Sequence, residues 1–210
     1  VLASYGGKLV EFPYSADEKY QALENRARAE LSLPDVRRGR LKKAIAMKGT
    51  ITAMEAHSGL TGLIVEKTTA YQNGEAHQFD AMWVSSLCDS TAKGKPDIEL
   101  VDMTSRFRTI DDIMEVTTKP IIFDGDTGGL TEHFVYTVKT LERMGVSMII
   151  VEDKTGMKKN SLFGIWIRGD KFLDFFQEYR EKGENEICIL QTCIDDSTPE
   201  QLAYSQRVLL

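Results

Sequence analysis

The 210-residue chain is 42% hydrophobic and 28% charged, with a formal net charge of −6. That composition excludes a disordered chain, and no apolar run approaches the ~20 residues that a membrane-spanning helix needs. The acidity argues against nucleic acid as the main partner, because binders of the phosphate backbone carry a basic excess. The first residues show no positive segment followed by a long apolar stretch, and Cys88, Cys188 and Cys193 stand at no metal-ligand spacing. A reduced, cytoplasmic setting is expected.

Residues 1–45 read as a helical arm. Ser15 to Leu31 is rich in helix formers, with Ser15 as N-cap and Glu18 three residues on, a capping-box pattern. Tyr20, Leu23, Ala27 and Leu31 form a narrow apolar stripe, too small to hold a helix alone, so the arm is expected to pack on the rest of the chain or on a second copy. Pro34 is expected to end that helix. The basic residues Arg37, Arg38, Arg40, Lys42 and Lys43 follow without interleaved aromatics, which favours a solvated face or contact with an acidic neighbouring subunit over a nucleic-acid patch.

Residues 46–210 alternate between short apolar runs and helical patterns. Buried strands are expected at Gly49–Met54, Phe79–Val84, Pro120–Phe123 and Val146–Val151. Helices are expected at Thr109–Val116 and at Glu132–Met144, the latter with Phe134, Val138, Leu141 and Met144 on one face and Gly145 as its stop. This alternation predicts parallel pairing and a (β/α)8 barrel-type α/β fold. Four units occupy residues 50–164; an ordinary barrel of about 250 residues would not close in what remains, so the expected barrel is incomplete, with four or five units.

Each expected strand runs into polar residues: Glu55 and His57, Ser85 and Ser86, Asp124 and Asp126, and Glu152 to Lys154. The C-terminal ends of parallel strands converge on one face, where active sites sit. Asp124-Gly125-Asp126-Thr127-Gly128-Gly129 places two carboxylates beside glycines that admit close approach of a ligand. With Glu152 from the next strand, they form an oxygen-donor set suited to magnesium; the first motif alone reads equally well as a capped turn. The loop from Lys154 to Ser161 carries three lysines, an amide and a hydroxyl, a composition fit to close over a phosphoryl group or to stand as a solvated loop. Phe172, Phe175, Phe176 and Tyr179 recur at helical spacing and read as core or as a subunit contact.

Four segments then carry a resemblance. Met54-Glu55-Ala56-His57-Ser58-Gly59-Leu60, Trp83-Val84-Ser85-Ser86-Leu87, Asp124-Gly125-Asp126-Thr127-Gly128 and Glu152-Asp153-Lys154 with Asn160-Ser161 stand in order within residues 36–164. Together they resemble the isocitrate lyase/phosphoenolpyruvate mutase family. A homo-oligomer is expected from the arm; the resemblance implies a magnesium-dependent barrel enzyme that interconverts phosphoenolpyruvate and phosphonopyruvate. It implies Asp124 as direct metal ligand, with Asp126 and Glu152 acting through metal-bound water. Ser85, Ser86 and Leu87 would hold the substrate carboxylate. Lys158, Asn160 and Ser161 would contact the phosphoryl group, and Asp102, with Asp89 as rival, would be a further acid near the metal.

One departure stands beside it, apart from the missing barrel units. The family places an Arg on its fifth strand, where Glu186–Asp195 offers Gln191 or Thr192, and Arg168 is a substitute without geometric warrant. The loop also lacks the cysteine and histidine of the family's carbon–carbon lyases. A phosphonopyruvate hydrolase, a C–C lyase and a catalytically impaired binding or assembly subunit are the competing readings.

Overall fold

The computed structural model describes residues 18–152, 158 and 188–192. In chain order the elements are α1 (Glu18–Leu31), α2 (Pro34–Lys48), β1 (Ala53–Glu55), α3 (Gly59–Lys67), β2 (Thr69–Gln72), β3 (Glu75–Gln78) and β4 (Ala81–Val84). There follow α4 (Ser86–Ala92), α5 (Met103–Val116), β5 (Ile121–Asp124), α6 (Thr131–Met144), β6 (Met148–Glu152) and β7 (Cys188–Thr192). The strands β1-β4-β5-β6-β7 form one sheet in that order, and every pair in it is parallel.

The order of the sheet follows the order of the chain, so the strands wind in one direction. The side chains agree. Met82, Val84, Ile121, Phe123, Ile149 and Val151 share a core with Val65, Ile110, Ile113, Phe134, Val138 and Leu141 from α3, α5 and α6. All three crossover helices therefore cover the same face, as in an arc of barrel wall and unlike a doubly wound sheet. Alternate residues turn to the opposite face, where Ala81 and Ile122 pack with Leu41 of α2. Asp124 and Glu152 share the parity of Ile122 and Ile150, so they stand on this second face, away from the core that α3, α5 and α6 cover.

The expected strands are present but start later, β1 only at Ala53, and β1, β5 and β6 each run one residue further, onto Glu55, Asp124 and Glu152; Glu186–Asp195 does supply a fifth, β7. Gly145 ends α6 at φ +93°, and a Cβ there would lie 2.7 Å from the Cα of Pro34. The first helix ends at Leu31, ahead of Pro34 as expected, but Pro34 also opens a second helix, α2, at the first helical position, where the missing N–H costs nothing. The boundary at residue 45 falls inside α2, which begins at Pro34 and packs its Leu41 into the second core. Ser15 lies outside the described residues, and Leu23 of the arm stripe is 66% exposed.

Of the basic cluster, Lys42 and Lys43 are exposed as expected for a solvated face, while the three arginines have a different use. Arg37 donates to the carbonyls of Met114 (3.3 Å) and Thr117, and Arg40 to that of Thr118 (2.6 Å). Arg28 of α1 donates to Val116 at 3.0 Å, and Arg38 to the carbonyl of Glu142 in α6 at 2.8 Å. Guanidinium groups thus close the C-terminal ends of α5 and α6, satisfying orphan carbonyls at the negative end of each helix.

The antiparallel hairpin β2–β3 was not expected. Its turn, Asn73-Gly74, has φ +53° and +84°, the left-handed pair of a two-residue hairpin turn.

Candidate active site

β5 ends on Asp124, and the chain turns at once. The N–H of Gly125 donates to the carbonyl of Ile150 at 2.7 Å, and a Cβ on Gly125 would lie 2.8 Å from Ile149 and 2.9 Å from that carbonyl. Glycine is therefore required between the two aspartates. Asp126 then adopts φ +53°, a conformation uncommon for a residue with a side chain. Its carbonyl accepts from the N–H of Glu152 at 2.7 Å, which ties the ends of β5 and β6 together.

The second face of this rim carries a connected set of charges. Asp124 Oδ2 accepts from the N–H and Oγ of Ser86, at 3.1 and 2.8 Å, and its Oδ1 from the N–H of Asp126 at 3.1 Å. Lys158 Nζ donates to Asp126 Oδ1 (2.6 Å) and to Ser86 Oγ (2.8 Å). It also pairs with Asp97 Oδ2 at 2.7 Å. Asp126 is 6% exposed. Burial pushes its carboxyl above the usual range, against the pull of Arg106 and Lys158. For Lys158, burial alone would lower the pKa, but the bonds to Asp126 and Asp97 outweigh it and hold the ammonium above its ordinary value.

Behind the rim lies Arg106 of α5, 2% exposed. Its Nη1 donates to Asp126 Oδ2 at 2.8 Å and to the carbonyl of Asp124, its Nη2 reaches the Val84 carbonyl at 3.5 Å, and its Nε lies 3.6 Å from Asp89 Oδ2. The guanidinium carbon sits 4.3 Å from the centroid of the Phe123 ring. Asp89 is fully buried and is also held by Lys93 and Thr109 Oγ1.

The expected site residues thus divide. Asp124, Asp126, Ser86 and Lys158 are joined directly, and Glu152 enters through its backbone. Ser85 is buried as the N-cap of α4, and Leu87 beside it is 56% exposed. Asn160, Ser161 and Arg168, with Phe172 to Tyr179, lie outside the described residues. Asp102 is exposed and caps α5, accepting from the Ser105 N–H at 3.1 Å, with no bond to the cluster shown. Its rival Asp89 is committed to Arg106 and Lys93. The acid that reaches the cluster is Asp97, and Asp97 and Arg106 were both missed. Arg106 had a signal: it falls on the buried stripe of α5 with Thr109, Ile110 and Ile113. Asp97 had none in the local pattern.

Replacing Asp102 by Ala should cost about 1 kcal/mol through the lost N-cap and leave ligand binding unchanged. The Ser105 N–H holds the Asp102 carboxyl below the usual range. Its contribution is therefore complete at neutral pH and fades only as acid carries it through its folded pKa, below about 4. Urea denaturation at pH 7 and pH 3 measures both.

Beside the cluster, Glu55 Oε2 lies 3.0 Å from His57 Nδ1, and burial, then Glu55, push the Cys88 thiol up. The donor set itself suits a hard divalent cation: carboxylates from Asp124, Asp126 and Glu152 on adjacent strand ends. Asp97 Oδ1 is buried with no hydrogen-bond partner among the described residues, and the single ammonium of Lys158 serves two aspartates. A second cation fits this excess of oxygen.

The comparisons agree with the geometry. Residues 41–189 match the family model described as phosphoenolpyruvate phosphomutase. The chain is 35% identical over 123 residues to a phosphoenolpyruvate phosphomutase of Tetrahymena pyriformis and 32% identical over 128 residues to that of Streptomyces hygroscopicus, covering 58% and 60% of this chain. The matched stretch spans only 38% of each relative. Among solved structures, a phosphonopyruvate hydrolase in complex with oxalate and Mg2+ superposes with a TM-score of 0.66 at 22% identity, over 82% of this chain and 59% of that one. The fold is thus that of the barrel-type members of the superfamily, and the chain belongs to the phosphoenolpyruvate phosphomutase family.

Proposed function

We propose that the chain carries the metal-binding and gating half of a phosphoenolpyruvate mutase, interconverting phosphoenolpyruvate and phosphonopyruvate. The observation that carries this reading is the reach of Lys158 from beyond β6 to Asp126, Asp97 and Ser86 at once. Asp124, Asp126 and Glu152 would hold magnesium, which neutralises charge on the substrate when bound. Ser85, Ser86 and Leu87 would receive the substrate carboxylate at the start of α4. Lys158, with Asn160 and Ser161, would meet the phosphoryl oxygens; a loose phosphoryl transition state needs positioning and charge more than covalent help. Asp97 replaces Asp102 as the further acid. A homo-oligomer with a helical arm ahead of α2, in the cytoplasm and acting on a small molecule, completes the proposal.

β7 bears on the activity. Gln191 and Thr192 pair in register with Val151 and Glu152, so the position where the family places an Arg carries no fixed charge here. Arg106 cannot substitute, being engaged below the rim.

Phosphorus NMR of the protein with magnesium and phosphonopyruvate tests the reading. The expected product is phosphoenolpyruvate, abolished by EDTA. Phosphate with pyruvate would make the protein a hydrolase. Binding of oxalate without turnover would make it an assembly subunit.

A further inference from the structure

The opposite end of the sheet holds a second concentration of charge. The segments entering β4 and β5, the hairpin β2–β3 and the helix α2 enclose a cleft of about 400 Å³, lined by Arg40, Lys48, Gln78, Asp80 and Lys119 among others. That volume is within the ~300–1,000 Å³ of small-molecule sites.

Lys119 is the residue that needs explaining. It is 8% exposed, yet among the described residues its ammonium makes one hydrogen bond, of 3.4 Å, to Gln78 Oε1. No carboxylate among the described residues lies within ion-pair distance of it. The nearby acids are already engaged. Asp80 accepts from Lys48, from the Thr52 N–H at 3.0 Å and from Thr52 Oγ1 at 3.2 Å. Glu66 accepts from Thr118 Oγ1 at 2.7 Å and from the Lys119 backbone N–H at 3.2 Å. Burial lowers the Lys119 pKa, partly offset by Glu66. A buried ammonium with idle donors is costly unless an acceptor enters from outside.

We propose that this cleft is a second ligand site, for a phosphate oxyanion, free or at the end of a small metabolite, held by Lys119, Arg40 and Lys48. Lysine supplies a point charge to phosphate and arginine a directional fork. Arg40 keeps donors to spare beyond the one it gives Thr118. The site is independent of the carboxylate rim, which lies at the other ends of the same strands.

Calorimetric titration with inorganic phosphate tests this, in EDTA so that no divalent metal occupies the rim. Wild type should bind saturably at millimolar concentration, and Lys119→Met should weaken binding by about tenfold or more. Lys48→Glu changes a half-exposed side chain, so it should fold and weaken binding too; it decides the matter if Lys119→Met does not fold. Lys158→Ala should leave the affinity unchanged. Glycerol phosphate in parallel should bind the same site, more tightly if the natural ligand is an ester and less so if it is the free ion. Absence of saturable binding, or binding lost in Lys158→Ala and kept in Lys119→Met and Lys48→Glu, would overturn the proposal.

Discussion

Asp124→Ala should yield a folded protein in which magnesium-dependent binding of oxalate falls by at least about a hundredfold. Loss of a group that only orients a ligand already costs 10–100-fold, and Asp124 is proposed to touch the metal itself. The fold should survive because Asp124 is half-buried at a rim, outside both hydrophobic cores. The substitution does free the N–H and Oγ of Ser86 and the N–H of Asp126, which could disturb the site indirectly. Asp124→Asn separates the two effects: its amide oxygen keeps an acceptor while the charge is gone. If charge toward the metal is what matters, Asn should bind magnesium and oxalate as poorly as Ala, with circular dichroism and melting close to wild type. Unchanged affinity in both variants would remove the metal from this position.

How much of this could be read from the chain alone follows from the range of each interaction. The strands of the sheet and the stop at Gly145 rest on local patterns, and the structure has them close to where those patterns put them. So does the rim, because polar residues after an apolar strand are a local signal. Pro34 was ambiguous for a physical reason: proline suits both the residue after a helix and the first position of the next one. The hairpin was legible, since Asn73-Gly74 is the strongest two-residue turn signal, but its strands are polar and exposed and lacked an apolar alternation to draw attention. The uses of Arg37, Arg38 and Arg40 could not be read, because their acceptors lie 77 to 104 residues away. Asp97 is the same case. Nothing in Lys95-Pro96-Asp97 announces a partner, and only the fold brings Lys158 to it. Asp102 was the natural guess, and its side chain is spent on a helix end, the commoner fate of an aspartate before a helix.

Arg106→Met should produce the largest loss of stability, about 3–5 kcal/mol, the range for removing one partner from a buried charge network. Against a total of ~5–15 kcal/mol for a native protein this is severe. Asp89 is fully buried and Asp126 is 6% exposed, so each would lose a cation it cannot replace with water. Asp89 keeps Lys93 and Asp126 keeps Lys158, which bounds the effect from above. Arg106→Lys should not rescue it, because one ammonium cannot reach Asp126, the Asp124 and Val84 carbonyls and the face of Phe123 together. The pH dependence separates charge from packing. Burial already raises the Asp126 pKa, and Arg106 opposes that rise; removing the arginine raises it further. A carboxyl with a raised folded pKa destabilises at pH values above its unfolded pKa, and the penalty shrinks as acid protonates it in the folded state. The deficit relative to wild type should therefore be larger at pH 7 than at pH 5 by urea denaturation. Adding Asp126→Asn should recover part of it, as coupled neighbours do. A deficit equal at both pH values and unmoved by Asp126→Asn would assign Arg106 to packing against Phe123 alone.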